Sequence, residues 1–306
     1  MGRAKRRGRE NEKGAVAVIV AAAMVAVAGL TALGTDIGRL FVEKQRLSTI
    51  SDAAALAGVT KLPGDPAGAA LAAREYLRKN GLDPNQATVQ ISTDRSQLSV
   101  ATTRQVGMTF ARVIGVRQSP VAAGATATIA PISGFFGAVP LGVPRADWQV
   151  GQQVYLKLDA DAGSISPGNY QALALGKTGA ASYESNLLSG YQSWIRVDDW
   201  VDTETGNMAG PTARAVRTRI GQDPNSTWQT ATRQSPRLVI VPILEDFNVN
   251  GRGQVHVIGF GMFYLEDATS SGNKAEIIGR FVRLITEGEI SASAPDFGLR
   301  AIKLIH

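Results

Sequence analysis

Residues 15–35, AVAVIVAAAMVAVAGLTALGT, carry no charged side chain, and that run limits what the chain can fold into more than any other feature. Coiled as an α-helix it would extend about 32 Å, the thickness of a bilayer's hydrocarbon core. Directly before it stand Arg3, Lys5, Arg6, Arg7, Arg9 and Lys13 against Glu10 and Glu12. This Lys/Arg excess predicts a cytoplasmic N-terminus, with everything beyond about residue 36 on the outer side of a cell membrane. The lipid bilayer is thus the first expected partner. A cleaved secretory signal has the same basic-then-apolar order, but its apolar core runs only about 7–15 residues. The sequence after the run favours a permanent single-pass anchor, because residues 36–57 continue in helical pattern without a proline. One helix is expected from 14 to 60, its first half in lipid and its second projecting, preceded by a basic tail over 1–13.

On the projecting half, Asp36, Arg39, Glu43 and Arg46 share one stripe at three- and four-residue spacings, which allows alternating-sign pairing. Leu47, Ile50, Ala54 and Ala57 make a separate, heptad-like apolar seam. Eight of the 21 residues in the apolar run are alanine, and Gly34-x-x-x-Gly38 sits at its outer end. Small residues let helices approach closely in lipid, where packing drives association. Gly34, Asp36, Gly38, Arg39, Leu47 and Ile50 are therefore the candidate assembly residues, and a helix-mediated oligomer is the matching expectation. Asp36 and Arg39 are expected hydrated at the outer membrane–water interface.

The net charge is +6, but the first 13 residues supply six positive and two negative charges, so only about +2 is left for the rest. Basicity here is a topology signal. Nucleic acid is not an expected partner, and an aromatic content of 6% is unlike a base-stacking platform. The absence of cysteine removes disulfides, thiolate metal sites and a thiol nucleophile. Of the two histidines, His306 is the last residue, and His256 lies in the apolar run Val255-His-Val-Ile, where a packed or surface strand residue is expected rather than a catalytic base. Leu175-Gly-Lys177-Thr178 imitates the end of a phosphate loop, but Gln171 stands where the first glycine is required, and the preceding strand signal is short. Asp159 with Asp161, and Asp198, Asp199, Asp202 and Glu204, are carboxylate clusters without the twelve-residue calcium pattern, and read as solvated loops. Neither an enzyme nor a cofactor is expected.

After Pro63-Gly-Asp-Pro66, residues 67–80 read as a short amphipathic helix closed at Gly81. Ala87–Thr93 and Gln97–Thr103 read as a hairpin, 108–116 as a short helix and 121–129 as a returning strand. Residues 61–131 are thus expected to form a small α+β module. From 138 to 306 the chain reads as a β-rich extracytoplasmic domain with strands at 154–158, 194–197, 237–244, 254–265, 280–286 and 299–305. The 237–244 and 254–265 runs are nearly continuously apolar, as in the middle of a sheet. A helix is expected over 212–220 and an exposed polar loop over 267–275. Asp202, Glu204, Asn207, Gly210 and Pro211 make the candidate binding loop, with Thr212 capping the helix behind it. The fold class is α+β: a long transmembrane and stalk helix, a small α+β module and a C-terminal β-rich domain.

The order of the apolar span, then Asp36-Ile-Gly-Arg-Leu, Lys44-Gln-Arg-Leu and Asp52-Ala-Ala-Ala-Leu-Ala-Gly58 resembles the N-terminal segment of TadG-like proteins of the bacterial tight-adherence, or Flp-pilus, assembly systems. The continuation to about 131 resembles the same proteins, which implies a pilin-like character for the 61–131 module. The resemblance implies a membrane-anchored structural or accessory component of pilus assembly and cell adhesion, with pilus-assembly or pilin-like proteins as partners. A processed pilin of this general type would carry a glutamate about five residues after the cleaved glycine; Gly14 is followed by Ala-Val-Ala-Val-Ile19, consistent with a retained anchor. A different class of function, a surface-anchored module binding a glycan or protein through residues 202–212, is the alternative. Exposed tryptophans near 194 and 200 would favour it.

Overall fold

The computed structural model describes residues 4–146, 149–158, 169–205, 208–245, 249, 252–271 and 274–305. They form two compact units, one over 4–128 with 304–305 and the other over Ile129–Lys303.

The first unit begins with a single unbroken helix, α1 (Ala4–Val59). It starts ten residues earlier than the expected residue 14, since the Lys-, Arg- and Glu-rich segment before the apolar run consists largely of good helix formers. Helix α2 (Pro66–Lys79) follows: the Asp65 carboxylate accepts the Gly68 N–H at 2.8 Å, and Pro66 occupies the first turn, where a missing N–H costs nothing. A 3₁₀ turn over Pro84–Gln86 leads into β1 (Ala87–Ile91), which pairs antiparallel with β2 (Gln97–Gly107). Strand β2 pairs in turn with β3 (Gln118–Phe136), from Gln97 opposite Thr128 to Gly107 opposite Gln118. Leu47, Ile50, Ala54, Ala55 and Val59 of α1 are buried, as are Ala69, Ala73 and Leu77 of α2 and Leu98 and Val100 of β2. Gly58 sits where helix and strand come closest: a Cβ there would lie 2.5 Å from Leu98 Cδ1 and 2.9 Å from the Ala69 carbonyl oxygen. The apolar seam of α1 is therefore consumed inside its own unit.

Strand β3 carries the chain into the second unit, where its end pairs with β7 (Trp194–Arg196) and β13 (Glu289–Ile290). The main sheet runs β4 (Val143–Pro144), β9 (Leu238–Leu244), β10 (Gln254–Ser271), β11 (Lys274–Val282), β5 (Gln153–Leu158). At its start β10 also pairs with β8 (Trp200–Thr205), which pairs with β6 (Asn169–Ala174). β12 (Leu284–Thr286) runs parallel to β14 (Leu299–Ile305). The sheet centre is buried on both faces, as continuous apolarity predicts. Val239, Val241, Ile243, Phe263 and Leu265 face a core that includes Tyr183 and Leu187 of α3 (Ala180–Ser189) and Val216 of α4 (Ala209–Gln222). Ile240, Leu244, Met262 and Tyr264 face the opposite core with Ile132, Ile195 and Leu299.

Two expectations fail here. Residues 267–275 are not an exposed polar loop: β10 runs to Ser271 and β11 starts at Lys274, a hairpin whose outer pairs include Ala268 with Ile277 and Ser270 with Ala275. Polar strand ends hide this pairing, because only Ala268, Ala275 and Ile277 turn inward. Likewise Thr212 is not an N-cap. Helix α4 begins at Ala209, its Thr212 N–H already bonds the Met208 carbonyl, and Pro211 falls in the first turn, where proline is tolerated.

Candidate functional site

Asp36 is the first charged residue after the apolar run and is only 3% exposed. Its carboxylate accepts three successive backbone N–H groups of the turn between β2 and β3: Thr109 at 2.8 Å, Phe110 at 2.9 Å and Ala111 at 2.7 Å. A carboxylate meeting consecutive amides makes short, charge-assisted bonds and caps the 3₁₀ turn Ala111–Ile114 that follows. Arg39, one turn on, donates to the Thr109 hydroxyl. The hydrated interfacial aspartate expected from the sequence is instead occupied within its own chain.

Glu43 of the same stripe, and Lys44 beside it, also face the hairpin. Glu43 meets Arg104 of β2 at 3.0 Å, and Lys44 donates to the Ala122 carbonyl at 2.7 Å. Ser51 and Thr102 share a buried hydroxyl–hydroxyl bond of 3.0 Å. Helix rise from Asp36 to Ser51 is about 22 Å, and strand rise from Thr102 to Thr109 is about 23 Å. Helix and strand therefore run antiparallel with matched lengths, pinned at both ends. Of the remaining candidate assembly residues, Leu47 and Ile50 are buried in this unit, whereas Gly34 and Gly38 are exposed and a Cβ at either would meet nothing within 4 Å.

In the second unit, the candidate loop is mostly regular structure. Asp202 and Glu204 lie on β8, Gly210 and Pro211 in the first turn of α4, and Asn207 outside the described residues. Asp202 is exposed and accepts from the Gln254 amide at 3.2 Å. Glu204 is buried and accepts the Gly179 N–H at 2.7 Å, where the helix dipole of α3 begins. Tyr183 of that helix reaches the Thr212 hydroxyl at 2.9 Å, and burial raises its phenol's pKa. Glu204 thus joins strand to helix, a structural position rather than a surface one.

The second unit's aromatic surface lies beside these residues. Trp200 is 61% exposed and stacks on the His256 ring at a centroid distance of 5.1 Å. His256 Nδ1 lies 2.9 Å from Glu245 Oε2 and Nε2 lies 3.4 Å from Asp198 Oδ1; the hydrogen bond with Glu245, reinforced by the two carboxylate charges, raises the imidazole pKa. Asp198 has φ +73, a left-handed conformation that aspartate adopts more readily than most residues. It also lines an open cleft of about 410 Å³ with Ser133, Ser291 and the Arg196–Glu289 pair, whose two bonds measure 2.8 and 2.9 Å. Trp194 is 42% exposed beneath the Arg196 guanidinium. The sequence marked these tryptophans but not the histidine stack, which depends on β8 and β10 pairing Trp200 with His256.

Among the described residues, no group of three or more His, Cys, Asp or Glu side chains is placed to hold a metal ion; Asp159 and Asp161 lie outside the described residues. A strand, β6, does precede Gly176-Lys177-Thr178, and α3 follows, so that expectation of the sequence was too strict. The first glycine of a phosphate loop is still absent.

The Tad family model, Flp pilus-assembly TadE/G-like, matches residues 14–61. Searches of curated proteins and of solved structures return no match. The matched segment covers the apolar run and the part of α1 that ends in Asp52–Gly58, so its residues include the Asp36 anchor point and the tight Gly58 crossing.

Proposed function

We propose that the chain is a membrane-anchored structural component of an Flp-type pilus-assembly system, with its N-terminus cytoplasmic and both units outside. The observation that carries this reading is the continuity of α1. Among the described residues one helix is long and apolar enough to cross a membrane, its apolar window is wholly unburied by the rest of the structure, and it runs without a break into the packed half. The TadE/G-like match over the same residues supports the pilus context. Gly34 and Gly38 leave an open helix face for a second helix in lipid. Deleting the chain from its native cell should abolish surface pili and adhesion, and full-length chain should restore both. Pili that persist at normal number in the deletion would sink this reading.

A second reading rests on the exposed Trp194 and Trp200. Sugar rings stack on aromatic faces, and Arg196, whose guanidinium lies over Trp194, lines a cleft in which Asp198, Ser133 and Ser291 offer hydrogen-bonding groups. On this reading the second unit is a surface module for a polar saccharide. Glycan-array binding that disappears in Trp200→Ala would favour it; identical array profiles for the two proteins would remove it.

A further inference from the structure

The turn that Asp36 holds has the wrong surface for water. Val113 is 90% exposed and Ile114 80% exposed, and Phe110 and Val116 are exposed beside them. The turn is ordered nonetheless: Met108 N–H bonds the Arg117 carbonyl at 3.0 Å, Gly115 takes φ +90, and three amides are fixed on Asp36. Arg112 and Arg117 flank the apolar side chains, are exposed, and make no ion pair among the described residues. On α1 itself Ile37, Phe41 and Val42 are exposed just past the apolar run.

We propose that residues 110–117 form a second membrane contact. Phe110, Val113, Ile114 and Val116 enter the boundary between headgroups and acyl chains of the outer leaflet, while Arg112 and Arg117 meet lipid phosphates. The inference rests on the anchored reading of α1. Two observations select lipid over another occupant. Asp36 fixes the turn at the level where the uncharged run ends, which for a span of about 20 residues is the edge of the hydrocarbon. The apolar tip is rimmed by unpaired guanidinium groups, the arrangement of interfacial segments that bury themselves about 5–10 Å deep. Two contacts fix the tilt and rotation of the first unit against the membrane, which one helix leaves free.

The chain has no cysteine, so one introduced thiol is labelled without background. Full-length Val113→Cys and Met24→Cys variants, each carrying an environment-sensitive fluorophore, would be reconstituted into phosphatidylcholine–phosphatidylglycerol vesicles with nitroxide lipids as shallow or deep quenchers. Position 113 is almost wholly exposed, so the label does not disturb packing. The expected result is strong quenching at 113 by the shallow quencher and at 24 by the deep one, with Ile114→Cys behaving like Val113→Cys. Quenching at 24 with a water-like signal at 113 overturns the second contact and leaves the anchor standing. No quenching at either position overturns both. A signal at 113 that is shielded only as protein concentration rises, without lipid quenching, assigns the patch to a second copy of the chain and also overturns the proposal.

Discussion

Asp36 and Thr109 are 73 residues apart in the chain, yet a carboxylate oxygen of one accepts the backbone N–H of the other at 2.8 Å. This bond, with its neighbours to Phe110 and Ala111, joins the end of the apolar run to the tip of the β2–β3 hairpin. Replacing Asp36 by leucine removes all three acceptor contacts and lengthens the apolar run. The amides of Thr109, Phe110 and Ala111 should then exchange with solvent as fast as unprotected ones, while the amides of β1 and of β2 up to Gly107 keep their protection. Hydrogen exchange read by mass spectrometry checks this; unchanged protection at 109–111 would show that the turn holds itself.

At the other end of the same helix–strand contact, Ser51 and Thr102 share one buried hydrogen bond. Thr102→Val leaves the Ser51 hydroxyl without that partner in the core and should cost about 1–3 kcal/mol. The double variant with Ser51→Ala removes both polar groups and should recover much of the loss. Denaturant unfolding of the detergent-solubilised chain measures both, and equal stability in the single and double variants would contradict the account.

Leu47 has no exposed surface in its unit, so it belongs to the unit's core rather than to an open helix seam. Leu47→Ala should lower unfolding stability by about 2–5 kcal/mol. Association measured by sedimentation in detergent should stay as it is in the unsubstituted chain. Lost association at unchanged stability would return Leu47 to an intermolecular role.

His256 faces Glu245 on one ring nitrogen and Asp198 on the other, with Trp200 stacked on its face. The Glu245 hydrogen bond and the two negative charges lift its pKa above the usual 6.5. A raised folded-state pKa means the stabilisation is complete below about pH 6.5 and is lost as pH climbs through the higher folded value. Imidazole NMR titration should place the midpoint above 6.5, and Glu245→Gln should bring it down. A midpoint at or below 6.5 in the unsubstituted chain would be evidence against the pairing.

Much of this arrangement was legible in the sequence wherever a local period carried the information. The α1 helix, α2, the β1–β2 hairpin and the apolar strands β9 and β10 follow from the spacing of apolar residues and from punctuation by Pro66 and Gly81. Asp36 was singled out too, but as a hydrated charge, because its three donors lie more than seventy residues downstream and no local pattern reports them. Strand β8 was read as a carboxylate-rich loop, since Asp202 faces solvent while the inward-facing Thr203 and Glu204 are polar. Helix α3 escaped notice altogether: it is ten residues long, lacks a side-chain N-cap bond, and buries chiefly Tyr183 and Leu187. The family match falls on the segment where local pattern and tertiary role coincide, from the apolar run to Gly58.

The anchored, N-terminus-in reading of α1 is tested most directly by intact mass and protease accessibility of the native protein in sealed membranes. The account predicts a full-length species that stays with the membrane, with both outer units digested by protease added outside and a protected fragment ending near residue 40. A shorter, released species beginning near residue 35 would contradict it and identify the apolar run as a cleaved signal.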